Sequence, residues 1–309
     1  MKAMINRTHI EGLLYESTLE LKVSGANSKN PGTQFIAGEI RIATDDACLN
    51  IVPVHFTYVI AITGKGTQNA TFTVLSNIIN GTFGSVMGNG KDKAVKLRVD
   101  SAIGLNDFYT DRNGDEELVS AKRNEGGFVH KIDALADDER TRNTFEVDMV
   151  ITKVTHIDAI EERNLPDKVV VRGAIFDFRK ALLPVEFSAT NPAAMNYFEG
   201  LDVSTKNPVF TKVWGRQVSE TGTRKIEEES AFGEIKVREV PTSHKDWVIT
   251  GASKEPYIWD DESSITAAEL TEAMANRETY LAGVKARWKE YKAGQNGAAN
   301  MASNQSFNF

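Results

Sequence analysis

The tightest constraint on this chain is that one order of secondary-structure elements reads twice along it. In 1–132, three strand-like stretches at 8–23, 34–44 and 50–62 precede a helix at 67–80 and further strands at 94–103 and 118–132. Side chains alternate along a strand, so Ile36, Ile40 and Ile42 share one face, as do Val95, Leu97 and Val99. Phe72, Leu75 and Ile79 switch to helical spacing. The order then recurs. Strands are expected at 144–157, 168–178 and 182–190, a short helix at 191–200, and strands at 208–218 and 232–240. Pro192 suits the first turn of that helix, where a missing N–H costs nothing.

Local residues repeat along with the order. Phe35 to Ile40, with Gly38, parallels Val170 to Ile175, with Gly173. Pro53-Val54-His55-Phe56 parallels Pro184-Val185-Glu186-Phe187, and both helices open at an asparagine, Asn69 and Asn191. A duplication predicts that Gly38 superposes on Gly173 and Pro53 on Pro184. These glycines and prolines are read as bends and strand edges, not as chemistry. Three strands, a helix and two strands make the element order of the OB-fold, a five-stranded Greek-key barrel. The expected architecture is mainly β: two OB-like five-stranded barrels (1–132 and 143–255) joined by a linker (133–142), then a C-terminal helix (264–292) and a disordered tail (294–309). Thr266-Ala267-Ala268-Glu269 is a capping box that starts the helix. Its stripe of Leu281, Val284, Trp288 and Tyr291 predicts packing on the second barrel, with self-association as the alternative. The tail has no charged side chain and ends in Phe307-Asn308-Phe309.

Composition narrows the function. A net charge of −7 argues against duplex binding driven by phosphate neutralisation. It is compatible with single-strand grooves, which combine local positive charge with base stacking. No apolar run approaches the roughly 20 residues of a membrane span, and 1–10 has no apolar leader core, so neither membrane insertion nor secretion is expected. Cys48 is the only cysteine, which excludes internal disulfides and fits a reducing cytoplasm. No cofactor or metal is expected, since none of the five histidines has a second ligand at metal-site spacing. The Gly64-Lys65-Gly66-Thr67 and Gly88-Asn89-Gly90-Lys91 loops lack phosphate-loop spacing, and 111–115 lacks the ligand pattern of a calcium loop. With no nucleophile constellation either, catalysis is not expected.

Aromatic and basic residues that share strand faces are the candidate site. Phe210, Lys212, Trp214 and Arg216 fall on one face of 208–218. Arg172, Phe176, Phe178 and Lys180 share a face of the second module's second strand, opposite Val171 and Ile175. In the first module, Phe35 and Arg41 lie opposite Ile36, Ile40 and Ile42, and Lys96 and Arg98 lie opposite Val95, Leu97 and Val99. Rings with flanking cations suit a stacking platform, in which rings take base faces and cations follow phosphates.

With its two Gly-then-Pro-Val-x-Phe strand pairs, its aromatic–basic faces and its terminal Phe309, the chain resembles single-stranded DNA-binding proteins, particularly the tandem-OB versions that phages encode. Bacterial proteins of that class carry an acidic tail tip ending in Pro-Phe that docks replication partners. Here the terminal Phe is present and the acids and proline are not. The resemblance implies largely sequence-independent binding of single-stranded DNA in replication, recombination or repair, without catalysis. It also implies replication or recombination proteins recruited through the tail, and a place in the host cytoplasm if the chain is phage-encoded. The alternative is an OB-fold structural or adaptor protein that binds other proteins, for example in a phage assembly, which the acidic net charge favours.

Overall fold

The computed structural model describes residues 4–112, 115–159, 166–229, 235–259 and 265–303, with the backbone alone for 220–244 and 295–303. Six strands and two helices make the first module: β1 (Asn6–Ser17), β2 (Glu20–Val23), β3 (Gln34–Ala43), β4 (Ile51–Ile60), α1 (Ala70–Ile79), α2 (Val86–Asn89), β5 (Lys96–Arg112) and β6 (Asp115–Lys131). The second module comprises β7 (Asn143–Ile157), β8 (Lys168–Phe176), β9 (Leu182–Ala189), α3 (Pro192–Glu199), β10 (Val209–Glu229) and β11 (Ile235–Ala252). A final helix, α4, spans Ala267–Ser303.

Each module closes into an OB-type barrel. In the first, β1 pairs with both β3 and β5, β3 with β4, β5 with β6, and the short parallel contact Val54↔Asn124 and His55↔Glu125 closes β4 on β6. In the second, β7 pairs with β8 and β10, β8 with β9, β10 with β11, and Ser188↔Val248 closes the ring. The alternating apolar faces fill the interiors: Ile36, Ile40, Ile42, Leu97 and Val99 in one barrel, Val169, Val171, Ile175, Phe187 and Val213 in the other. Both expected helix starts are present, with Asn69 accepting from the Thr71 N–H and Asn191 from the Ala193 N–H.

The barrels join through antiparallel pairing of β1 with β7, and the register has a local two-fold. Asn6 faces Val147, Ile10 faces Asn143, and Thr8 faces Phe145 between them. Asn6 donates to the Ile103 carbonyl, and Asn143 donates to the carbonyl of Gln217 at the matching place in the second barrel. The register also corrects the duplication pairs. The bulge of β1 lies between Leu14 and Glu16, facing Ile42 and Arg41; that of β7 lies between Ile151 and Lys153, facing Gly173 and Arg172. Arg41 and Arg172 are therefore equivalent. Gly38 lies three residues before Arg41, whereas Gly173 directly follows Arg172, so the glycines fall on matching strands but not matching places. Pro53 faces Arg41 while Glu186, not Pro184, faces Arg172. Both glycines stand on barrel-facing positions where a Cβ would collide with backbone, of Thr18 and Val150 respectively, so the same steric need arose at two different steps.

The hairpins are longer than the sequence pattern predicts. β5–β6 runs out to Arg112↔Asp115 and β10–β11 to Glu229↔Ile235, and the 241–252 part of β11 lies outside the expected strands. Of the stretches missed, 110–117, 219–229 and 241–246 are mostly polar at successive positions, so no period-two apolar signal marks them. Each hairpin braces the opposite barrel. The Gln217 carbonyl accepts from Asn50 and Asn143, and the side chains of Gln217 and Asn124 exchange hydrogen bonds of 2.7 and 2.9 Å. From the other hairpin, Lys122 reaches the Glu186 carbonyl of β9.

Glu269 and Thr266 form the expected capping box at the start of α4. The helix then runs on to Ser303 instead of ending near Lys292, with no proline to stop it. The expected tail tip, 304–309, lies outside the described residues. The first turns of α4 and the segment before it cover the outer face of the second barrel, where Ile265 and Ala273 join Phe176, Phe210, Val150 and Leu182 in a third core. Further along, α4 packs on the β5–β6 hairpin through Arg277–Asp107 and Lys292–Asp111.

Candidate nucleic-acid interface

The pairing of β1 with β7 merges the outer faces of the two barrels. Directly paired residues share a face, and the pairs run Trp214↔Glu146 and Arg216↔Thr144 from β10 to β7, then Glu146↔Arg7 and Thr144↔His9 to β1, then His9↔Asp100 and Glu11↔Arg98 to β5. Lys212, Trp214, Arg216, Lys96 and Arg98, read from separate modules in the sequence, thus stand on one continuous sheet face. The charges on it are interlocked. Glu146 receives Arg7 at 2.9 Å and Lys212 at 3.1 Å, and its carboxyl is held below its ordinary value by those cations, against the opposing effect of burial. Asp100 receives His9 at 2.9 Å and Arg98 at 3.2 Å. Lys96 donates to the Asp133 carbonyl at 2.9 Å. Arg216 carries no ion pair among the described residues.

Trp214 is the open ring on this face, 40% exposed. It lies across Gly251, where any Cβ would run into the indole. Beside it is a cleft of about 550 Å³ lined by Arg140, Arg216, Glu146 and Thr250. A ring backed by a glycine, with two guanidinium groups at its rim, can accept a flat base on its free side.

The other sequence candidates fall elsewhere. Phe210 and Phe176 are each 1% exposed, which overturns their reading as base platforms. Strand alternation placed them on the correct, outer face, but Tyr257 and Trp259 close over Phe210 with ring centroids 4.7 and 6.0 Å away, and α4 completes the cover. Tyr257 in turn donates to Asp148 at 3.0 Å, and burial first, then that carboxylate, pushes its pKa up to about 12. Phe178 is 88% exposed at the β8–β9 turn, with the Arg179 guanidinium 5.1 Å from its ring centre, and Lys180 beside it adopts a left-handed backbone (φ 66°). Phe35 leans on Tyr58 at 4.6 Å on the β3–β4 face. On that same face Arg41 is clamped by Glu39 and Glu16, and Arg172 holds the matching place in the second barrel, paired with Glu186 at 3.0 Å. Phe35, Arg41 and Arg172 therefore do not join the Trp214 surface.

Sequence reading missed Arg7, Tyr58 and Lys122, whose partners Glu146, Phe35 and Phe187 lie on other strands, and Arg140, which sits in the 3-10 turn Glu139–Thr141. It also found no grouping of histidine with other ligands, whereas the fold gathers His156 with Asp167 at 2.8 Å, Glu199 at 2.6 Å and Asp158 at 3.4 Å. The hydrogen bond to Glu199, with the charges of Asp167 and Asp158, raises the imidazole pKa, which favours the ion-paired form of this exposed cluster.

Among solved structures, the fold is similar to the wild-type single-stranded DNA binding protein from Thermus aquaticus, with a TM-score of 0.44 and 10% identity over 82% of this chain and 93% of that one. It is similar also to a deletion mutant of the same protein, with a TM-score of 0.45 and 11% identity over 85% of this chain and 100% of that one. No curated protein matches the sequence. The profile of one sequence family, YorF, matches residues 5–287, and the chain belongs to the YorF family.

Proposed function

We propose that this protein binds single-stranded DNA with little regard to sequence, through the outer face that β10, β7, β1 and β5 share. The observation that carries this reading is Trp214, a half-exposed indole seated on Gly251 beside Arg216 and Arg140. A base stacks on the ring, and the guanidinium groups take the adjoining phosphates. Such binding serves replication, recombination or repair, where strands are exposed. The candidates retained are Trp214, Lys212, Arg216, Lys96 and Arg98, with Arg7 and Arg140 added.

Trp214→Ala is expected to weaken oligo-dT binding by ~1–3 kcal/mol, with thermal stability little changed. Gly251→Ala should lower affinity as well, since its methyl displaces the ring without removing it. Fluorescence anisotropy with oligo-dT and with duplex, at several salt concentrations, measures both. Wild-type protein that binds duplex as well as oligo-dT, or a Trp214→Ala variant of unchanged affinity, overturns the reading.

A second reading, an OB-fold adaptor for another protein, is favoured by one observation. Lys212, Arg98, Arg7 and Arg140 each already hold a carboxylate, so phosphates must compete for them. A shallow salt dependence with retained oligo-dT binding fits stacking; absence of any oligonucleotide binding leaves the adaptor.

A further inference from the structure

A second cleft, of about 660 Å³, lies where the first barrel's β5–β6 hairpin crosses the β8–β9 face of the second barrel. Four cations and two carboxylates line it. Two of the cations are neutralised, Lys168 by Asp246 at 3.0 Å and Arg172 by Glu186 at 3.0 Å. The other two, Lys122 and Lys245, have no ion pair among the described residues. They also hold matching places in the two modules. Lys122 faces Leu105 two steps beyond the Ile103↔Asn124 pair, and Lys245 faces Ser219 two steps beyond the equivalent Gln217↔Trp247 pair.

Lys122 is the more exacting of the two. Its ammonium donates to the Glu186 carbonyl and sits 4.3 and 5.0 Å from the ring centres of Phe187 and Trp247. One carbonyl and two ring faces do not compensate a desolvated ammonium, and burial pushes its pKa down to about 7. The cleft therefore holds two lysines without a paired carboxylate among the described residues, the exposed Lys245 and the partly buried Lys122, in a protein whose net charge is −7. Ser120, Thr152 and Ser188 also line it, with Ser120 donating to Asp107, Thr152 to the Arg172 carbonyl and Ser188 accepting from Lys168.

We propose that this cleft between hairpin and barrel is a phosphate-binding site. Two lysines without a paired carboxylate, one exposed and one partly buried, match a phosphate group in charge, and a bound phosphate draws Lys122 toward its ammonium form. The phosphate belongs either to the backbone of a bound single strand or to a free mononucleotide. The first source rests on the single-strand reading above and the second does not. Because Lys122 comes from one module and Lys245 from the other, an occupant ties the hairpin of the first barrel to the face of the second.

The test is calorimetric titration of the full chain with dTMP and, separately, with oligo-dT, in wild type, Lys122→Met, Lys245→Met and Trp214→Ala. Lys245 is exposed, so its variant is safe for folding. The two lysine variants are expected to weaken whichever phosphate-bearing probe the wild type binds by about tenfold, and Trp214→Ala to weaken oligo-dT alone. Loss confined to dTMP supports the site with a free nucleotide as its source; loss with oligo-dT supports it with the strand as its source. If wild type binds dTMP and not oligo-dT, and the lysine variants lose dTMP, the phosphate site stands and the single-strand reading falls. Lysine variants that titrate like wild type with both probes, or a wild type that binds neither, overturn the proposal.

Discussion

Arg277→Ala is expected to destabilise the protein by ~3–5 kcal/mol, the largest effect of any single change argued from this structure. Arg277 grips Asp107 with two hydrogen bonds of 2.6 and 2.8 Å, and Ser120 donates to the same carboxylate at 2.6 Å. The carboxylate side chain is 1% exposed and the arginine 10%. Removing the guanidinium leaves a buried anion with one hydroxyl donor, and the cost of that stranded charge exceeds the worth of the pair itself. The pair also ties α4 to the β5–β6 hairpin, so its loss should loosen both. Urea denaturation reads the stability, and hydrogen exchange at 96–131 and 267–292 reads the loosening. Adding Asp107→Asn to Arg277→Ala should recover part of the loss, because a neutral amide is cheaper to leave without its partner. A single variant within about 0.5 kcal/mol of wild type would show that Asp107 is hydrated, and the helix would then not be pinned there.

Lys122→Met is expected to do the opposite, raising stability by about 2–3 kcal/mol at pH 6 and by progressively less toward pH 10. The folded chain releases the Lys122 proton near pH 7, chiefly because burial disfavours the ammonium, against weaker upward pulls from Asp246 and Glu186. The unfolded chain releases it near pH ~10.4. Between those values the unfolded state binds more protons, so stability rises with pH there. Below pH 7 both states are charged and the folded state carries the full burial penalty; above pH ~10.5 both are neutral and the penalty is gone. Each tenfold loss of proton affinity on folding costs about 1.4 kcal/mol. The side chain keeps some contact with water, and methionine forfeits the hydrogen bond to Glu186, so the net gain is smaller than the full product. Lys168, Lys245 and Arg172 line the same cleft, with the carboxylates Asp246 and Glu186 among them. Denaturation at pH 6, 8 and 10 measures the trend. A loss of stability, or a gain equal at all three pH values, contradicts the burial account. A gain accompanied by weaker phosphate binding would show a residue kept for a ligand at the expense of the fold.

Much of the fold is legible from local pattern alone. Period-two alternation in 34–44, 94–103 and 168–178 gives the strands and the faces they turn inward, because a one-step error would bury charge. Asn69, Asn191, Pro192 and the Thr266–Glu269 box mark helix starts, because the first turn's unpaired N–H groups must be satisfied nearby. Two barrels in tandem follow from the repeated order, since an OB barrel is defined by the order of its strands.

What sequence pattern could not supply is whatever depends on two distant strands meeting. The Gly38 and Gly173 segments match by eye, yet bulges in β1 and β7 set the register, and a bulge depends on the partner strand. Phe176 and Phe210 face outward as alternation requires, but only the return of 253–259 and α4 decides that this outer face is a third core while the neighbouring one stays open around Trp214. The shared sheet face exists because β1 pairs with β7, and neither strand's sequence names the other as its neighbour. Lys122 and Asp107 read as ordinary hairpin charges along the chain. Their buried environments arise because the hairpin of one barrel lies against the other barrel and against α4, and burial is a property of the assembled surfaces rather than of the residue.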